Sequence, residues 1–166
     1  MPTLLLPCDG SAEALLAVRH VIAEVRRGSA HQVHLVNVQP PFSAYVARHV
    51  GPDARMDAHR ERAEAALAGS RSLLDAADVP CQVHLEIGDK ARCIASLAGR
   101  LGCERIVLAT ARRSGLVRFV ANSLTSRILE HSTVPVEIIN SNPAGALQRL
   151  GIPASVGAGL TLLWIT

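Results

Sequence analysis

Thr3-Leu4-Leu5-Leu6-Pro7-Cys8, followed by Asp9-Gly10-Ser11, is the stretch on which the fold turns. Six residues without a charge, closed by three that favour a turn, read as a strand buried on both faces. Ser11 then caps a helix, and Glu13 in its first turn complements the helix dipole. Leu15, Val18, Ile22 and Val25 lie on one apolar stripe of that helix, and Gly28 stops it.

The same alternation continues outward. His31 to Val38 reads as a second strand closed by Pro40-Pro41, Phe42 to Asp53 as a loop, and Ala54 to Ala77 as a long helix with Gly69 as its weak point. Pro80 to Ile87 reads as a third strand. Gly88-Asp89 then turns into a helix whose stripe is Ile94, Leu97, Ala98 and Leu101. Arg105 to Ala109 is a fourth strand, a basic loop follows, and a helix runs from about Ser123 to His131. Val134 to Ile139 is a fifth strand, in which Pro135, lacking an N–H, argues for an edge position or a strand start. Strands alternating with helices predict an α/β fold: a five-stranded parallel sheet with helices on both faces, joined by right-handed crossovers.

The chain has 166 residues, 49% of them hydrophobic and 19% charged, which fits one α/β domain with an appendage and excludes a disordered chain. We divide it at 1–140 for the domain and 141–166 for a C-terminal extension. That extension ends in an apolar run from Val156 to Ile165, expected to pack on the domain or on a dimer partner. The net charge of +3 comes from scattered basic residues and aromatics make up 2%, so no nucleic-acid partner is predicted. Lys90 is the only lysine; the other basic residues are arginines, a bias read as codon usage. There is no run of about 18 apolar residues for a membrane span and no charged leader ahead of the first strand. Cys8, Cys81, Cys93 and Cys103 show no metal or redox spacing and read as reduced thiols of a cytoplasmic protein.

Parallel sheets bind ligands beyond the carboxyl ends of their strands, where strand order reverses. Asp9 stands at such an end. The loop after the fourth strand lies at the same edge, followed by a helix N-terminus near Asn122-Ser123 that suits an anion. A carboxylate beside an anion-binding helix end suits a nucleotide, the carboxylate toward ribose hydroxyls and the N–H groups toward phosphate. The plainer reading has Asp9 shaping the turn and Ser123 capping its helix.

Leu4-Leu5-Leu6-Pro7-Cys8-Asp9-Gly10-Ser11 resembles the opening strand and turn of the universal stress protein family. Arg127 to Val136, ending His131-Ser132-Thr133-Val134-Pro135-Val136, is similar to that family's last helix and strand. Gly88, Ile94 and Arg105 to Ala109 fall in its order. The resemblance implies the Rossmann-like fold of the adenine-nucleotide alpha hydrolases, a homodimer through the fifth strand at residues 134–139, and unidentified protein partners. In one branch of the family ATP or AMP occupies the cleft, marked by Gly-x-x-Gly-x9-Gly-Ser/Thr. Here those glycine positions hold Ala109, Arg112 and Asn122, and only Ser123 matches. Pro7, Cys8, Asp9, Val38, Ala109, Arg112, Asn122, Ser123 and Leu124 are the site positions the resemblance implies, with Asp9 at ribose and Val38 at adenine. Arg112 either fills the pocket or supplies charge to the phosphates.

Two functions follow. One is a dimeric stress-response regulator or interaction module with a degenerate nucleotide loop; the alternative is an ATP- or AMP-binding regulator using Asp9 and the 109–123 loop. No hydrolase or kinase motif is present, so catalysis beyond slow nucleotide hydrolysis is not predicted. Cys8 has no adjacent base, and Asp9 beside it raises a thiol pKa. His34 and His84, each in a Val-His-Leu setting, can share one face of neighbouring strands. A two-histidine metal site needs further ligands, so they read as incidental neighbours.

Overall fold

A computed structural model describes residues 2–29, 32–111 and 124–141. Its strands are β1 (Thr3–Pro7), β2 (Gln32–Gln39), β3 (Cys81–Ile87), β4 (Arg105–Ala111) and β5 (Val136–Ser141). Its helices are α1 (Ala12–Arg26), α2 (Ala44–His49), α3 (Pro52–Asp75), α4 (Lys90–Arg100) and α5 (Leu124–His131). All strand pairs are parallel, in the order β3-β2-β1-β4-β5. The five-stranded parallel sheet with helices on both faces is therefore present as read from the sequence.

The central strand explains the sequence that opened the argument. Leu4, Leu5 and Leu6 are each fully buried because alternate side chains enter opposite layers. Leu4 and Leu6 pack with Val18, Val21, Leu67 and Leu74 under α1 and α3; Leu5 packs with Ile94, Leu97 and Ile128 under α4 and α5. Each such burial contributes about 1.5–3 kcal/mol, so both faces of β1 must be apolar.

Several boundaries differ from the sequence reading. The stretch read as a loop contains α2, whose Ser43 hydroxyl accepts from the Val46 N–H at 3.4 Å. Six residues are too few to show a helical period, so only the cap signalled this turn. α3 starts at Pro52, where a fixed φ and a missing N–H suit a first helical position. Gly69 lies within the continuous α3, where a Cβ would meet only the end of the Leu15 side chain, at 3.4 Å. β4 runs two residues beyond Ala109, held by pairing with β5. Pro135 precedes β5 and contributes only its carbonyl, which accepts from the Ile106 N–H at 2.9 Å. The edge position of β5 needs no N–H from it.

No helix among the described residues is long and apolar enough to cross a membrane. The expected packing of the 141–166 extension falls outside the described residues, apart from the end of β5.

Candidate functional site

The strand order reverses between β1 and β4: from β1 the chain builds outward to β2 and β3, then returns to build β4 and β5. A cleft opens there, at the carboxyl ends of β1, β2 and β4. Pro7, Cys8, Asp9, Val38, Ala109 and Leu124 all line it. These six of the sequence-derived site residues come together; Arg112, Asn122 and Ser123 lie outside the described residues.

The peptide carrying Asp9 is held on both sides. The Cys8 N–H donates to the Val36 carbonyl at 2.8 Å, extending the β1–β2 ladder past Pro7. The Cys8 carbonyl accepts from Asn37 Nδ2 at 2.7 Å, and the Gln39 side-chain amide donates to Asn37 Oδ1. Asn37 is only 3% exposed, so its amide is committed to this task. Gly10 turns the chain with φ +83°, and α3 passes so close that a Cβ would lie 3.4 Å from the Ala66 backbone.

Asp9 Oδ1 accepts the Ser11 N–H at 3.0 Å, and Ser11 Oγ accepts the Ala14 N–H at 3.2 Å. Burial alone would raise the Asp9 carboxyl. The hydrogen bonds from Ser11 and the charge of Lys90 outweigh it and hold the group below the usual carboxylate range. Asp9 is thus an anion at neutral pH, with Lys90 across the cleft.

Cys8 is no nucleophile at neutral pH. Burial pushes its thiol up to about 11, against the Ser70 hydroxyl, which lowers it; Asp9 raises it further. The sequence argument had the sign of the Asp9 contribution right, but burial is the larger cause. Burial also raises Cys81, Cys93 and Cys103, and all four cysteines are free.

Sequence reasoning missed Asn37 and Lys90. Asn37 was visible as the one amide inside an apolar strand, Val-His-Leu-Val-Asn-Val. Lys90 was visible as the only lysine, set just after Gly88-Asp89. At the first position of α4 it lines the cleft opposite Asp9. Ile94 and Leu108, buried in the core beneath α4, give the cleft an apolar floor. An ionised carboxylate, an ammonium group and an apolar floor suit a ligand with a flat apolar part, hydroxyls and a negative end.

The universal stress protein family model matches residues 1–140. The chain belongs to the universal stress protein family. No curated protein matches it in sequence. Among solved structures it is similar to the universal stress protein UspA from Lactobacillus plantarum, 18% identical, with a TM-score of 0.64 over 83% of this chain and 97% of that one. It is also similar to an Arabidopsis thaliana universal stress family protein with AMP bound. That protein is 14% identical, with a TM-score of 0.62 over 87% of this chain and 95% of its own. A third is the Archaeoglobus fulgidus universal stress protein in complex with dAMP: 20% identity, TM-score 0.57, 84% of this chain and 97% of that one. These likenesses establish the α/β fold of this universal stress family member; its cleft chemistry rests on its own residues.

Proposed function

We propose that this universal stress family protein is a homodimeric stress-response regulator whose cleft takes an adenine nucleotide. The observation that carries the reading is the Asp9 carboxylate, ionised and pinned at the strand-order reversal, above an apolar floor. The base lies against Val38, the ribose hydroxyls bond to Asp9, and the phosphate end runs toward Ala109 and Leu124; the family resemblance assigns Arg112, Asn122 and Ser123 to the phosphates as well. The relatives that hold AMP and dAMP support a ligand of this class.

The missing glycines bear on the number of phosphates. Ala109 sits in extended β4 paired with Ile139, so a Cβ costs no backbone strain there. It still adds a methyl where a phosphate would approach. Among the described residues Lys90 supplies the positive charge lining the cleft, and the added methyl favours AMP, which brings one phosphate, over ATP.

A second reading, an interaction module with an empty cleft, is favoured by one observation. The enclosed space is about 100 Å³, below the roughly 300 Å³ at the low end for small-molecule sites. On the nucleotide reading, the ribose and phosphate extend out of this space past Ala109 and Leu124.

Absorbance at 260 nm and mass spectrometry of the purified protein, followed by calorimetric titration with AMP and ATP, separate the two readings. The nucleotide reading expects AMP to bind, and Asp9→Asn to weaken it at least tenfold, about 1.4 kcal/mol. Absence of binding by either nucleotide overturns it and leaves the interaction module. The dimer belongs to the same proposal and rests on β5 being an edge strand with Ile138 39% exposed.

A further inference from the structure

At the other end of the sheet, four charged or titratable side chains from three elements meet. Arg105, the first residue of β4, pairs with Oε2 of Glu24 on α1 and, through Nε at 3.0 Å, with Oε2 of Glu137 on β5. One cation thus engages one oxygen of each carboxylate. The other oxygens turn to His20: its Nε2 lies 3.4 Å from Glu24 Oε1 and 3.1 Å from Glu137 Oε1. His20 Nε2 is shut off from solvent, yet makes an aligned hydrogen bond to neither oxygen.

We propose that His20 Nε2, Glu24 Oε1 and Glu137 Oε1 form a binding site for a divalent first-row cation of the zinc type. This group of three is the one set of metal-ligating side chains that converges among the described residues, its ligand atoms all within 4.8 Å of one another. Zinc bonds of about 2.0–2.1 Å at a tetrahedral angle put neighbouring ligand atoms roughly 3.3 Å apart. The two separations at His20 bracket that value. Imidazole and carboxylate are donor types that zinc accepts, and three protein ligands leave a fourth position for water. Calcium, which takes six to eight oxygens, and magnesium, which demands octahedral oxygens, are poorly served.

Arg105 fits this role as a positioning residue. It donates to Glu24 Oε2 and sets its charge beside Glu137 Oε2, with which it makes no aligned hydrogen bond, so the Oε1 atoms of both glutamates lie toward His20, the task of an outer-shell partner at a metal centre. It also limits affinity. The guanidinium offsets part of the charge the two carboxylates would offer a cation. The cation would bridge α1 to the edge strand β5, so occupancy stabilises the fold by mass action.

The test uses the full chain, titrated with Co²⁺ as a visible-absorbing probe and then with Zn²⁺ in competition. One equivalent is expected, with the absorption of a four-coordinate ion. His20→Gln should weaken binding at least tenfold. His84→Gln, which alters a different histidine pair, should leave it unchanged. Equal binding by His20→Gln and the parent chain, or no binding of either ion by the parent, overturns the site. His20→Gln also disturbs an ion-pair network, so a measurement on the parent chain accompanies it. Long-range ¹H–¹⁵N NMR should show Nε2 of His20 shifting on Zn²⁺ addition, and a response confined to other histidines refutes the assignment.

Discussion

His34 Nδ1 and His84 Nε2 lie 2.8 Å apart, joining β2 to the edge strand β3 through a hydrogen bond between two imidazoles. The parallel register sets His34 opposite Gln82, so His84 is the next residue of β3 on the same face. One ring must donate and the other accept, which requires at least one neutral imidazole. The two histidines share one face of neighbouring strands, as read from the sequence, and the hydrogen bond makes the pair a structural contact.

That contact makes stability depend on pH. Burial lowers the His34 pKa, with His84 adding to the effect. Burial lowers His84 as well, where Glu86 opposes it and Arg100 reinforces it. The unfolded chain then takes up protons before the folded one does. Stability should be full above the unfolded value of about 6.5 and should fall as pH drops through the window between that value and the lowered folded values. Denaturant midpoints from pH 8 to pH 5 check this. The slope should shrink in His34→Gln, and an undiminished slope would assign the effect to other groups.

The 109–123 segment carries the next prediction. If Arg112 fills the pocket, Arg112→Gly with Ala109→Gly should create or strengthen ATP binding. If Arg112 holds phosphate, Arg112→Gly alone should weaken binding by about 1.5–3 kcal/mol, the scale of a charge-assisted hydrogen bond. Titration with a fluorescent nucleotide distinguishes the two.

Ile138→Lys should convert the proposed dimer to monomer in sedimentation analysis without unfolding it, because Ile138 is 39% exposed on the edge strand. Val136, on the same face, packs against the core beside α4 and α5, so Val136→Lys should destabilise the fold as well. An unchanged dimer in Ile138→Lys would place the interface elsewhere.

Gly10→Ala should destabilise the protein by about 1–2 kcal/mol, the cost of a left-handed conformation for a residue with a Cβ. The added methyl would also press on Ala66, so α3 must yield slightly. Thermal unfolding measures the loss. A neutral result would mean that the turn relaxes to another conformation, and Asp9 would then lose its position over the cleft.

What the sequence determined by itself was the set of properties carried by near neighbours in the chain. The alternation of apolar runs and helical stripes, the Ser11 cap and Asp9 at a strand end all follow from spacings of a few residues, which local geometry reads directly. The six-residue α2 escaped because it is shorter than the period that would reveal it. Only the tertiary structure decided which distant residues meet. Asn37 holds the Cys8 carbonyl, Lys90 faces Asp9 across the cleft, and His20 and Glu24 meet Arg105 and Glu137 because the order β3-β2-β1-β4-β5 brings their elements together. Hydrogen bonds and charge interactions depend on separation in space, and no periodicity along a single chain encodes separation between elements joined by long crossovers.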